Sequence, residues 1–295
     1  MKKKRRVDTR DGLKVVTSND FITACGLDGI SLKARKLLYI AVAQCKKNDA
    51  EFYENEITAI EFAEMMGISA SHVYEEADNI TNELMRGFLR IANEKKKRVF
   101  KKFALFSTCE YTENATLRFK LNKDMTDFLL GLNRNFTQPL LDDFLKMNSP
   151  YSMAVWHLMQ REMKSEKAYG NHVIEFDLML DELRQVTGTQ DKFTRLSDIK
   201  RYVLDKAIRE IKDNCSVIIT YENIKDGRTV IGFHFKASSL HRVEPELNNE
   251  RTVKRLRKVE LMEKKLDKSI TLKELDELET LILELNQMKI DDFIK

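Results

Sequence analysis

"SDIKRYVLDKAIREIKDNCSVIITYENIKDGRTVIGFHFK" occupies Ser197–Lys236, and its two halves have different periods. On a wheel of 100° per residue, Ile199, Val203, Ala207 and Ile211, flanked by Leu204 and Ile208, form one apolar stripe, as in a helix laid on a core. Arg201, Asp205, Arg209 and Lys212 fall on the opposite side. The second half alternates instead. Val217, Ile219 and Tyr221, then Ile231, Phe233 and Phe235, give two strands with one core face each. Between them Asp226-Gly227 suits the positive φ of a tight turn and places Lys225 and Arg228 at its tip. A cationic helix followed by a hairpin with a cationic tip has the order of the last two parts of a winged helix-turn-helix domain.

The sequence upstream supplies the other parts, and supplies them twice. In the first copy Ser31 caps a helix over Ser31–Lys46. Thr58 and Glu61 form a capping box at the start of "TAIEFAEMMG", and Gly67 stops that helix. A third helix starts near Ser71, with Val73, Ala77, Ile80, Leu84 and Phe88 as its stripe. The runs "RVFKKFALFS" and "ATLRFKL", separated by "TCEYTEN", then read as a hairpin. In the second copy "SPYSMAVWHLMQREM" gives a helix, "NHVIEF" a strand and "DLMLDELRQVTG" a helix ended by Gly188, ahead of the opening stretch. One shift of the chain lays Glu61, Phe62 and Gly67 on Glu182, Leu183 and Gly188, and Ser31 on Ser152, as a diverged tandem repeat would. The expected fold is α+β and helix-rich: tandem winged helix-turn-helix domains with a helical C-terminal tail. The expected organisation is a basic arm at 1–28, a first winged helix at 29–146, a second at 147–240 and a charged tail at 241–295.

Charge is divided along the chain. Residues 271–295 hold three cations against seven anions, a net of −4; with +4 overall, residues 1–270 carry +8. A basic body suits a polyanion, most often nucleic acid. The four cysteines form no CxxC pair and have no histidine at ligand spacing, so they read as reduced thiols, with no metal and no cofactor expected. No apolar run is long enough for a membrane span, and "MKKKRRV" is followed by "DTRDGLK" rather than a hydrophobic stretch, which points to a cytoplasmic protein. That basic start reads as a disordered arm touching phosphates.

The candidate base-reading residues are Arg195, Ser197, Lys200 and Arg201, at the start of the cationic helix. Arginine can fork onto the O6 and N7 of guanine, and lysine and serine can donate to base or phosphate. Lys200 lies toward the apolar side of the wheel but in the first turn, from which it can project past the core. Lys206 and Arg209, with Lys225 and Arg228 on the wing, are candidate phosphate contacts. The competing reading is a solvated face with ion pairs to Asp205 and Glu210. Lys95, Lys96, Lys97, Arg98, Lys101 and Lys102 form a second basic run, either a backbone clamp for the first domain or an edge strand guarded by lysines.

On these residues the chain resembles the initiator replication proteins of iteron plasmids, the Rep family with two winged helices. The resemblance runs from about Leu32 to Lys236 and is most specific in "SPYSMAVWHLM", "DELRQVTG", "LSDIKRYVLDKAIREI" and "KDGRTVIGFHF". Lys200, Arg201, Val203, Leu204, Ala207, Glu210 and Ile211 fill the family's basic-helix pattern, and Lys225, Gly227 and Arg228 its strand turn. The resemblance implies monomers bound to direct repeats of double-stranded origin DNA, with bases read by the second domain. It further implies opening of an adjacent A·T-rich segment and recruitment of host replication proteins such as a helicase and the chromosomal initiator. It also implies a monomer-dimer equilibrium, in which dimers formed largely through the first domain bind an inverted operator and repress the initiator's own gene. The tail after residue 245 departs from the pattern.

Two other readings compete. A winged-helix transcriptional repressor would share the contacts but bind an inverted repeat as a stable dimer. A rolling-circle nicking enzyme would need a tyrosine and a His-hydrophobic-His motif. His72, His157, His172, His234 and His241 form no such pair, and the Tyr202–Lys206 spacing arises often by chance. With no phosphate-binding glycine loop and no catalytic constellation, the chain reads as a binding protein, not an enzyme.

Overall fold

The computed structural model describes residues 4–69, 72–92, 99–163, 173–239 and 271–294, together with residues 257, 261 and 264. The chain divides into a body (Met1–Tyr169 and Val173–Ser238) and a C-terminal unit (Gly170–His172 and Ser239–Lys295).

The first half of the body contains β1 (Lys4–Arg6), β2 (Thr17–Ser18), α1 (Asn19–Thr23), α2 (Leu32–Ala43), β3 (Glu54–Thr58), α3 (Ala59–Met66) and α4 (Val73–Arg86). There follow β4 (Phe88–Ala92), β5 (Phe100–Ala104), β6 (Phe106–Tyr111), β7 (Thr116–Leu121), α5 (Thr126–Leu129), β8 (Phe136–Thr137) and α6 (Leu141–Lys146). The main sheet has the order β1-β3-β7-β6, with β1 parallel to β3 and the other pairs antiparallel. The caps fall where the sequence places them. Ser31 Oγ accepts the Ala34 N–H at 3.2 Å, and Thr58 and Glu61 close both halves of their capping box. Leu37, Leu38, Ile40, Ala41 and Val42 are all buried, so α2 is apolar around most of its circumference and forms the centre of this core.

The second half begins with α7 (Pro150–Met163), β9 (Val173–Met179) and α8 (Leu180–Thr187). Three consecutive helical segments follow, Leu196–Asp198, the π-helical Ile199–Leu204 and Asp205–Cys215, here together called α9. The wing is β10 (Val217–Asp226) and β11 (Thr229–Ser239), and the sheet order is β10-β11-β9. Its inner face carries Leu178, Val217, Ile219, Phe233 and Phe235, all buried. The tandem repeat is visible in the backbone itself: α3 ends at Gly67 with φ 64 and ψ 38, and α8 ends at Gly188 with φ 64 and ψ 37. In each case the glycine N–H donates to the carbonyls three and four residues back.

Three expectations change. The N-terminal segment is not a free arm from Lys4 onward, because β1 pairs with β3 while Val7, Val15, Phe21 and Ile22 enter the core. Its arginines are already satisfied: Arg5 forks onto Asp49 at 2.8 and 2.9 Å, and Arg6 meets Glu61 at 2.6 Å. The first hairpin is also divided differently. "RVFKKFALFS" breaks at the buried Leu105, so β5 pairs with β4 while β6, which takes in part of "TCEYTEN", pairs with β7. Finally, α7 belongs to both halves rather than following a boundary at 146. On it, His157 is held between Thr17 Oγ1 (2.8 Å) and Tyr39 Oη (3.0 Å), while the same helix packs on α8 and α9.

In the C-terminal unit α10 (Leu272–Ile294) starts with a capping box at Thr271 and Glu274. Leu278 and Leu281 pack with Leu261, and Arg257 and Lys264 pair with Glu277 and Glu274. Most of the expected charged tail ahead of α10, which includes "EPELNNERTVKRLRKVELMEKKL", lies outside the described residues. Among the described residues no helix is long and apolar enough to cross a membrane.

Candidate nucleic-acid interface

In α9, Ile199, Val203, Leu204, Ala207 and Ile211 are fully buried against the body. Arg195, Ser197, Arg201, Lys206, Arg209 and Lys212 are exposed. The division matches the wheel although the helix is not regular. Across Ile199–Leu204 it is π-helical, and the Asp205 N–H reaches back five residues to the Lys200 carbonyl. Lys200 differs from expectation: rather than projecting past the core, it is half-buried, its Nζ 5.6 Å from the Tyr221 ring centroid and 5.8 Å from that of Phe233. It therefore stands where α9 meets the wing strands.

Two carboxylates of α9 bear on whether this face is solvated or ligand-facing. Asp205 accepts a hydrogen bond from the Tyr221 hydroxyl at 2.8 Å, and burial, reinforced by that bond, pushes the phenol pKa up. Glu210 accepts the Asn148 backbone N–H at 2.9 Å. Neither forms the intrahelical ion pair that a solvated face would use. Among the described residues Arg195, Lys200, Arg201, Lys206, Arg209, Lys225 and Arg228 have no ion pair, whereas Arg5, Arg6, Arg118 and Arg161 elsewhere are paired. At the wing tip Gly227 has φ 57, with Lys225 and Arg228 exposed on either side of the turn. The fold thus brings one unneutralised cationic face together from the start of α9, its outer side and the wing.

The first domain is less complete. Lys95, Lys96, Lys97 and Arg98 lie outside the described residues. Lys101 and Lys102 are exposed on β5, with their ammonium groups 4.6 Å from the Phe103 centroid and 4.2 Å from that of Phe88. The start of α4 is acidic, with Glu75 and Glu76 in its first turn. Among the described residues no group of His, Cys, Asp or Glu is placed to hold a metal ion. Sequence reasoning missed Arg184, Phe193 and Tyr221, whose surroundings depend on contacts made across the fold, and considered Tyr202 only for its spacing from Lys206.

The family model described as Initiator Replication protein, WH1, matches residues 14–160, and that described as Initiator Rep protein, WH2, matches residues 179–237. The chain belongs to the initiator replication protein family. A 115-residue stretch is 29% identical to the PI protein of Escherichia coli, covering 37% of this chain and 38% of that one. A 167-residue stretch is 22% identical to a Replication initiation protein of Escherichia coli, covering 56% and 48%. The match therefore spans less than half the length of either relative. The fold is that of the Pi initiator protein solved in complex with iteron DNA, with a TM-score of 0.65 and 19% identity over 78% of this chain and 99% of that one.

Proposed function

We propose that this chain is a plasmid replication initiator that binds direct repeats of double-stranded DNA at an origin, one chain per repeat. Arg195, Ser197, Lys200 and Arg201 read base edges, while Lys206, Arg209, Lys225 and Arg228 hold the backbone on either side. Lys101 and Lys102, with the neighbouring Lys95–Arg98 run, supply backbone contacts from the first domain. The activity is binding and deformation of DNA, followed by recruitment of host replication proteins, and it requires no catalytic group or cofactor. A dimer joined through the first domain represses the initiator's own gene at an inverted operator. The observation that supports this reading is the face of cations that form no ion pair among the described residues, with Asp205 and Glu210 of the same helix turned to Tyr221 and Asn148: a protein that had only to stay soluble would gain by pairing them.

The test is footprinting on the DNA flanking the chain's own gene, with the mass of the bound complex measured alongside. The expected result is protection of several direct repeats, one chain on each. Protection of a lone inverted repeat by a dimer would leave a repressor in place of an initiator, and no sequence-selective protection would overturn both.

A further inference from the structure

The turn leading into α9 is fixed more firmly than a surface connection requires. Arg184, on α8, donates from Nη1 to the carbonyls of Thr189 (2.7 Å) and Lys192 (3.0 Å), and from Nη2 to that of Phe193 (3.0 Å). Three charge-assisted bonds from one planar fork hold the loop backbone in a single shape. Phe193 stands in that loop at φ 52, a left-handed conformation costly for a bulky side chain. Held there, its ring stacks on Tyr202 with centroids 5.5 Å apart and planes 23° from parallel, and Tyr151 closes against its edge at 5.9 Å. The Arg201 guanidinium lies over the same tyrosine, its Cζ 5.3 Å from the ring centroid.

Tyr202 is 45% exposed, so its ring adds little to the core. Its aromatic and cationic neighbours are Phe193 on one hand and Arg201 on the other. Successive side chains of an α-helix do not face each other, but Arg201 and Tyr202 lie in the π-helical segment, where the turn is wider and adjacent residues diverge less. A π-segment inside a recognition helix needs a reason, and this arrangement supplies one. Loop strain, ring stack and helix distortion converge on one guanidinium.

We propose that Tyr202 is a specificity-determining positioning residue. It holds the Arg201 guanidinium at the angle required to fork onto a base, on a platform that Phe193 and Arg184 fix. The inference rests on the base-reading role proposed for Arg201. A long, flexible arginine ordered before binding loses less freedom on forming a bidentate bond. That advantage matters for the directional contact with a base and little for contact with a phosphate, where many orientations serve. Loss of the platform should therefore appear in discrimination, not in general affinity for DNA.

The experiment uses the full chain, a duplex that the chain itself selects from a randomised pool, and a shuffled duplex of the same composition. Tyr202→Ala should reduce the ratio of the two affinities by about tenfold, while affinity for the shuffled duplex and its salt dependence stay unchanged. Tyr202→Phe, which keeps the ring, should retain discrimination, and Phe193→Leu, which removes the stack from the other side, should reproduce the alanine variant. In an Arg201→Ala background Tyr202→Ala should add nothing. Equal losses on both duplexes, failure of phenylalanine to rescue, or full additivity with Arg201→Ala would overturn the positioning role. If Arg201→Ala alone left discrimination intact, the base-reading proposal would fall and this one with it. An additive double variant beside a deleterious Arg201→Ala would sink only the positioning role.

Discussion

Arg201 and Lys225 are both exposed cations without a carboxylate partner, yet their surroundings assign them different work. Arg201 projects from the early part of α9, where helix-turn-helix proteins reach base edges. Its replacement by alanine should cost roughly 1 to 3 kcal/mol on the selected duplex and relax preference at one position. Comparing the preferred and substituted duplexes by titration checks this, and equal weakening on random DNA would remove the base contact. Lys225 stands near the wing tip, two residues before Gly227, and is proposed to meet a sugar-phosphate backbone. Lys225→Ala should weaken selected and random duplexes alike and lower the slope of log affinity against log salt by about one; an unchanged slope would take the wing off the DNA. The wheel places the exposed cations correctly because periodicity is local. It cannot show that Asp205 turns to Tyr221 and Glu210 to Asn148, since those partners are set by tertiary packing.

At the scale of elements, the two helix-ending glycines share a conformation but not an environment. Both Gly67 and Gly188 have φ 64, which a Cβ disfavours by about 1 to 2 kcal/mol. A methyl group on Gly67 would meet open space, whereas on Gly188 it would overlap the side chain of Asp28, next to the point where Gln185 Nε2 donates to the Thr23 carbonyl at 2.9 Å. Gly188→Ala should therefore destabilise the fold by at least about 1 kcal/mol more than Gly67→Ala, the difference being the price of overpacking. Urea unfolding of the two variants measures it, and equal losses would show that the Asp28 contact yields freely. The sequence repeat identifies both glycines and the capping boxes, because these signals act within a few residues. It does not identify β3, whose partners β1 and β7 are distant in the chain, nor β4, whose Phe88 the apolar stripe assigns to the preceding helix, nor the burial of the segment before α2. The π-segment is equally hidden, since the apolar stripe runs through Ile199, Val203 and Ala207 as it would in a regular helix.

At the scale of the whole molecule, α7 joins the two winged helices through buried polar groups, and this makes folding sensitive to acid. Arg35, only 2% exposed, donates to the carbonyls of Leu27 (2.6 Å) and Pro150 (3.0 Å), tying α2 to the start of α7. Close by, His157 is buried among Phe21, Tyr39 and Phe144, and desolvation, with Arg35 adding, pushes its pKa down to about 3. The unfolded chain protonates this histidine near pH 6.5, but the folded chain does not until far lower. Its contribution is therefore whole above pH 6.5 and is lost as pH falls from there toward 3, on the order of 5 kcal/mol in all. Asp143 on α6 acts in the opposite sense: burial raises its pKa to about 6, so the folded state gains a proton between pH 6 and 4 that the unfolded state lacks. Exposed His234, its pKa raised first by Asp177, also favours the folded state at acid pH, but solvent screening keeps that contribution small. Denaturant unfolding of Asp143→Asn from pH 7 to pH 4 separates the two buried groups. With the opposing carboxyl removed, stability should fall more steeply than in the natural chain as pH drops below 6.5. Stability that held constant or rose between pH 6.5 and 5 in that variant would show that α7 carries no buried neutral histidine, leaving Arg35 as the buried polar tie between α2 and α7.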